Sequence, residues 1–263
     1  MASIRMMPPQ FFDRTTWCLP LILLLGHADL RAETEKSVAA PEPPAVTEYL
    51  GRTVAHTMHY TGAGWLVRHK REQEEAASLM REKLELKPGM MVCDMGCGNG
   101  YHTFPMAKAV APDGKVYGVE IQEPYLKMLD DNAKKQGVTN FIPVLGLTYD
   151  PKLPENTLDL ILMVDVYHEF DHPSEMLQAM RKALKPGGAL VFLEFRAEDE
   201  SVPIKPEHKM SKVQLTKELT ANGYKLVKEF DGLPWQHMMW FGKDENFKAQ
   251  TSSIKEGSSA KNP

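Results

Sequence analysis

Cysteine is scarce in this chain, with only Cys18, Cys93 and Cys97 among 263 residues. Cys93 and Cys97 lie around one tight turn, where a disulfide would strain the loop. A disulfide framework is therefore excluded, and the pair reads as small buried side chains beside a ligand loop. Long apolar runs are missing too. The run at residues 17–25 is about long enough for a signal-peptide core and too short to span a bilayer. The mature chain should thus carry no stable transmembrane segment. An excess of positive charge is also missing, because 31 basic side chains face 35 acidic ones. That balance excludes the electrostatic footprint of a nucleic-acid or anionic-membrane binder. There is no internal repeat, which excludes a solenoid.

What is present begins with a targeting pattern. Arg5 and Arg14 precede the apolar run, and the small residues Gly26, Ala28 and Ala32 follow it. Residues 1–32 read as an export signal, which places the mature protein in a periplasmic or secreted location. The competing reading is a cytoplasmic protein with an N-terminal arm. Cys18 precedes most of the apolar run and is badly placed for lipidation. Residues 33–47, with Pro41, Pro43 and Pro44, read as a linker. Residues 243–263 are rich in Lys, Ser, Asn and Gly and read as a disordered tail. The folded domain is expected over 48–242.

Within that domain, strand-like and helix-like stretches alternate, the pattern of a parallel sheet covered by helices. A helix is expected over 65–86, with Ala76, Leu79, Met80 and Leu84 on one face and Lys87-Pro88-Gly89 stopping it. Strands are expected at 90–94, 115–120, 141–145, 158–164 and 189–195. Helices are expected at 102–110, 123–136 and 173–184. The run Leu160-Ile161-Leu162-Met163-Val164 suits a strand buried on both faces. After a helix at 211–222 the alternation breaks. Two strands, 225–230 and 236–241, are joined closely enough to be antiparallel.

The most informative stretch is VCDMGCGNG at 92–100, which ends a strand and opens a helix. Asp94, Gly96, Gly98 and Gly100 form D-x-G-x-G-x-G. Glycines let a backbone turn sharply and approach a ligand without Cβ clashes. Such a ligand sits at the carboxyl edge of the sheet. Glu120 ends the next strand, twenty residues after Gly100, where a carboxylate can accept from both hydroxyls of a ribose.

These residues resemble the class I S-adenosylmethionine (SAM)-dependent methyltransferases over about residues 75–242. The shared features are the glycine loop, the acidic strand end, the Leu184-Lys185-Pro186-Gly187-Gly188 turn and the final strand pair. The resemblance implies a doubly wound, mostly parallel seven-stranded sheet with an antiparallel C-terminal strand, preceded by a helical lid. It implies SAM as cofactor and methyl transfer to an acceptor, most simply a small molecule, with lipid-quinone and protein acceptors still open. Gly96 and Gly98 would border the amino-acid portion of SAM, and Asp94 would meet its ammonium or order the loop. Glu120 would bind the ribose. Cys97, Gly100, Ile121 and Asp165 complete the implied cofactor set. Relatives often carry an acidic residue directly after a glycine ending the third strand. Here Leu147 follows Gly146, and Asp150 is the substitute. One rival is a nicotinamide-dependent oxidoreductase, whose G-x-G-x-x-G fingerprint would need glycine where Tyr101 stands. Another is a non-catalytic SAM-binding protein of the same fold.

The acceptor side is read from Asp165-Val166-Tyr167-His168-Glu169-Phe170-Asp171-His172, a polar stretch directly after an apolar strand. His168 is the preferred base or substrate-orienting residue, with Tyr167 beside it. Residues 56–65 (HTMHYTGAGW) and 206–211 (PEHKMS) are candidate walls of the acceptor pocket. His56 and His59, with His168 and His172, invite a metal reading; the second pair has i, i+4 spacing, but Pro173 starts the helix only after it, and no Cys-rich ligand set accompanies the four. No metal site is expected.

Overall fold

The computed structural model describes residues 41–248. The proposed export signal and most of the linker and tail lie outside the described residues. A short hairpin, β1 (Glu48–Tyr49) and β2 (Arg52–Thr53), leads into a 3-10 turn at Tyr60–Val67, then helices α1 (Arg71–Glu75) and α2 (Ala77–Lys83). The alternating core follows: β3 (Met91–Met95), α3 (Thr103–Val110), β4 (Lys115–Glu120), α4 (Glu123–Gln136) and β5 (Phe141–Leu145). It continues with β6 (Leu158–Val164), α5 (Pro173–Ala183) and β7 (Leu184–Arg196). The two-residue β8 (Lys209–Met210), α6 (Lys212–Ala221), β9 (Tyr224–Phe230) and β10 (Gln236–Lys243) end the domain.

The main sheet runs β5-β4-β3-β6-β7-β10-β9, with β8 paired to the end of β7. The first five strands are parallel, and β10 lies antiparallel to both β7 and β9. This is the expected mostly parallel seven-strand order with an antiparallel C-terminal strand, to which the two-residue β8 adds an eighth strand. The strand order reverses between β3 and β6, and the carboxyl ends of those strands open the crevice where such sheets bind ligands.

Helices cover both faces, and the strands divide their side chains between the two cores. From β6, Ile161 and Met163 join one cluster and Leu160 and Leu162 the other. Phe192 and Val191 of β7 and Met239 and Met238 of β10 divide the same way. Period-two side-chain geometry thus turns continuous apolar runs into strands buried on both sides. Local signals set the ends. Pro173 occupies the first turn of α5, Ser211 accepts from Gln214 N at the start of α6, and Gly137 closes α4 at φ 66°.

Three expectations need correction. The single helix over 65–86 is broken: Ala76 stands in the left-handed region at φ 48° between α1 and α2. The break follows the burial of charge. Arg71 donates to Glu75 at 2.7 Å and to the Leu66 carbonyl at 2.7 Å, which folds the 60–67 turn back onto α1. The domain also continues past 242. Lys243 ends β10, and the ring of Phe247 lies over Gly223, where φ is 84° and a side chain would collide with it. Finally, the Lys185–Gly188 turn is a bulge within a longer strand, since Leu158 pairs with Leu184 but Leu160 with Ala189.

Candidate active site

The glycine loop does two jobs. Gly96 at φ 68° and Gly98 at φ 50° face a cleft, and Cβ atoms there would lie 2.5 Å from Val166 and 2.7 Å from Leu66. Gly100, at φ 91°, faces the core instead, where a Cβ would strike Phe104 and Leu129. Cys97 is buried against Gly118 and its thiol pKa is pushed well up by burial. Asp94 lies beneath the loop, accepting from Thr103 Oγ1 at 2.6 Å. Burial pushes its pKa up to about 6, against the pull of Thr103 and Arg71. Of the two roles open to Asp94, this geometry supplies the ordering of the loop.

Glu120 borders the cleft. Its carboxylate accepts from Gly98 N at 3.2 Å, Ile121 N at 2.8 Å and Gln122 N at 3.1 Å. Burial still raises its pKa. Ile121 lies on the same wall, as does Asp165 at the end of β6. Asp165 adopts φ 52°, a strained setting for a non-glycine residue. Its Oδ2 accepts from Gln236 Nε2 at 2.7 Å, while its buried Oδ1 has no partner. Burial and the nearby Glu75 and Glu194 push its pKa well up.

Asp150 does not join this wall. Leu147 N donates to the Asp150 carbonyl at 2.8 Å, and the turn so formed leaves the carboxylate bonded to Lys152 Nζ at 2.6 Å. Leu147 and Thr148 line the cleft in its place. Tyr167 is likewise not a site residue. It is fully buried, its hydroxyl donates to Glu218 at 2.7 Å, and its ring packs on Phe170 and Phe192.

A second cavity adjoins the cleft, and Met58, Leu66, Val164, Asp165 and Glu169 border both. His168 faces this second cavity. Its Nδ1 lies 2.6 Å from Glu194 Oε2, and a carboxylate can only accept, so Nδ1 carries a proton and, in the neutral ring, Nε2 presents its lone pair. Burial lowers the His168 pKa, but the charge and hydrogen bond of Glu194 outweigh it and the net shift is upward. His208, from the loop before β8, brings Nδ1 to 3.1 Å from His168 Nε2. Burial raises Glu169 to about 7. His172 turns away, held by Asp171 and the Pro43 carbonyl, so the i, i+4 pair does not converge.

Both candidate wall segments close over these spaces. Ala55 N donates to the His168 carbonyl, Met58 N to Glu169, and Tyr60 N to the Gln122 carboxamide, whose Nε2 donates back to the Met58 carbonyl. His56 and Trp65 join Lys205 and His208 around the second cavity. Glu194 and His208 had no separate signal in local periodicity. The available clue to Glu194 was a lone carboxylate inside the otherwise apolar run Ala189–Phe195, which the fold buries completely.

The cleft suits a nucleoside-bearing cofactor. Two of the buried polar atoms on its residues, Tyr125 Oη and Asp165 Oδ1, lack a protein partner. The family model for a methyltransferase domain matches residues 86–247. A demethylmenaquinone methyltransferase of Geobacillus stearothermophilus is 28% identical over 52% of this chain and 58% of its own. A protein-L-isoaspartate O-methyltransferase of Methanopyrus kandleri is 36% identical over 44% of this chain and 49% of its own. The chain thus spans about half the length of these curated relatives. The crystal structure of a SAM-dependent methyltransferase from Aquifex aeolicus superposes with TM-score 0.66 at 23% identity, covering 70% of this chain and 98% of that one. The sheet ending in antiparallel strands, the glycine loop facing a cleft and the family match together place this chain in the class I SAM-dependent methyltransferase family.

Proposed function

We propose that this protein transfers a methyl group from SAM, held in the glycine-loop cleft, to a small-molecule acceptor in the adjoining cavity. The observation that carries this reading is the wall the two spaces share at Asp165 and Glu169. When bound, SAM supplies a methyl carbon already activated by its sulfonium. The chain's own residues then have three tasks. Gly96 and Gly98 give the backbone close approach, and Glu120 accepts from the ribose hydroxyls while fixing Gly98 N. Tyr125 and Asp165 offer the polar atoms left unpartnered in the cleft wall. The 54–67 segment, stitched down through Met58 and Gln122, excludes water. Positioning of two reactants in adjoining spaces supplies much of the catalysis for an in-line displacement.

His168 acts on the acceptor rather than on SAM, because it faces the second cavity and Glu194 locks its ring. The second cavity is bordered by Phe195, Pro203, Ile204 and Trp65, which favours an acceptor with a substantial apolar body. Relatives named for quinone methylation are consistent with that class. The test is a mass-spectrometric screen of quinols, phenols and other ring acceptors with SAM. The expected product gains one methyl group. His168→Ala should lower turnover by about 10²-fold or more and leave SAM affinity nearly unchanged. SAM that binds without transfer to any acceptor class would favour the non-catalytic reading. Export of the mature chain remains part of the proposal, and N-terminal sequencing of protein from its native cell checks it. A mature terminus near Glu33 is expected, and an intact Met1 or Ala2 terminus contradicts export.

A further inference from the structure

Three side chains converge at the wall of the acceptor cavity, and one of them, Glu169, also borders the cofactor cleft. His168, Glu169 and His208 each offer one ligand atom, and these atoms all lie within 4.8 Å of one another. His168 and Glu169 come from the 3-10 turn after β6, and His208 comes from the loop before β8, 40 residues later. The two nitrogens are 3.1 Å apart. That separation matches two metal–nitrogen bonds of about 2.1 Å meeting at about 95°. His168 is also backed on its far nitrogen by Glu194, which is fully buried. Metal-ligating histidines commonly carry such a carboxylate, which fixes the ring and raises the basicity of the free nitrogen.

A hydrogen bond between the imidazoles would account for the nitrogen pair alone. It would not account for Glu169. Glu194 already has partners in Tyr167 N and His168, whereas the half-buried Glu169 bonds no lysine or arginine among the described residues and accepts from Met58 N. Desolvated carboxylates are ordinarily paired or coordinate a metal. Two imidazoles and one carboxylate, with room on the cavity side, form the donor set of an open-faced site for a divalent transition metal. Magnesium and calcium prefer oxygen donors.

We propose that His168, Glu169 and His208 bind a divalent transition metal ion, with Glu194 positioning His168, and that the ion's open face holds an oxygen of the methyl acceptor. The acceptor role rests on the methyltransferase reading above, whereas the site itself does not. The substrate class narrows to acceptors carrying a hydroxyl, phenol or enol oxygen at or beside the methylated atom.

The test uses the full chain, freed of metal with a chelator and titrated with Zn²⁺ or Co²⁺ alone. One ion should bind per chain, and the Co²⁺ protein should show ligand-field absorption bands. His208→Ala should weaken binding by at least about 100-fold and remove those bands. His208 is half-buried on the short 3-10 turn before β8, outside the main sheet, so this variant is expected to fold. Glu194→Gln should weaken binding by about 10- to 100-fold without removing the site. His69→Ala, at an exposed histidine outside the 54–67 segment, should change nothing. Absence of saturable one-to-one binding, or equal affinity in wild type and His208→Ala, overturns the proposal. A parallel SAM titration in chelator separates the two readings. SAM binding without metal binding removes this inference and leaves the function standing. Metal binding without SAM binding keeps the site and removes its acceptor role.

Discussion

Asp94→Asn should stabilise the ligand-free protein at neutral pH, even though Asp94 opens the motif that identifies the cofactor loop. Asp94 is only 3% exposed, with the Thr103 hydroxyl as its hydrogen-bond donor. Its pKa rises from 3.8 to about 6 on folding. The folded state therefore holds the proton more tightly than the unfolded chain does. Such a group contributes no penalty below the unfolded value, and stability falls as pH rises between about 4 and 6. At about pH 7.5 the full cost of ionising the buried carboxyl is present, about 3 kcal/mol. At about pH 4.5 the cost is only about 1 kcal/mol. Asparagine keeps an acceptor for Thr103 and removes the charge. Urea unfolding of wild type and Asp94→Asn at both pH values should give a stabilisation larger by about 2 kcal/mol at the higher pH. The double difference cancels the other carboxylates. A pH-independent difference, or a stabilisation larger at the lower pH, would refute the assignment of Asp94 as a buried carboxylate of raised pKa beneath the loop.

Two further expectations separate site from scaffold. Tyr167→Phe removes the 2.7 Å bond to Glu218 and should cost about 1–3 kcal/mol in denaturant unfolding while SAM affinity stays within about twofold. Asp150→Ala should leave SAM affinity unchanged by calorimetry, since the carboxylate is engaged with Lys152; a large loss would return Asp150 to the cofactor set.

What was legible in the sequence follows from range. Leu160 through Val164 announced a strand buried on both faces because its neighbours in the chain suffice to show it. The glycine loop and Glu120 were legible because backbone conformation and strand ends are local properties. Tyr167 misled because its hydroxyl is satisfied by Glu218, 51 residues away on α6, which no local pattern reveals. Asp150 misled because a turn hydrogen bond at Leu147 decides where its side chain lies. The helix over 65–86 failed because good helical periodicity yielded to the burial of Arg71 and Glu75, which turns the chain at Ala76. The convergence of His168, Glu194 and His208 comes from three separate segments and exists only once β6, β7 and the loop before β8 are assembled.

Where SAM binds is the point on which the function depends most directly. Calorimetric titration of the full chain with SAM and with NAD, in wild type and Glu120→Ala, measures this without knowledge of the acceptor. One SAM site and no comparable NAD binding are expected. Glu120→Ala should lose about 1–3 kcal/mol of SAM affinity, through the ribose hydroxyls and through release of Gly98 N. Binding of NAD in preference to SAM, or undiminished SAM affinity in Glu120→Ala, would contradict the assignment of this cleft.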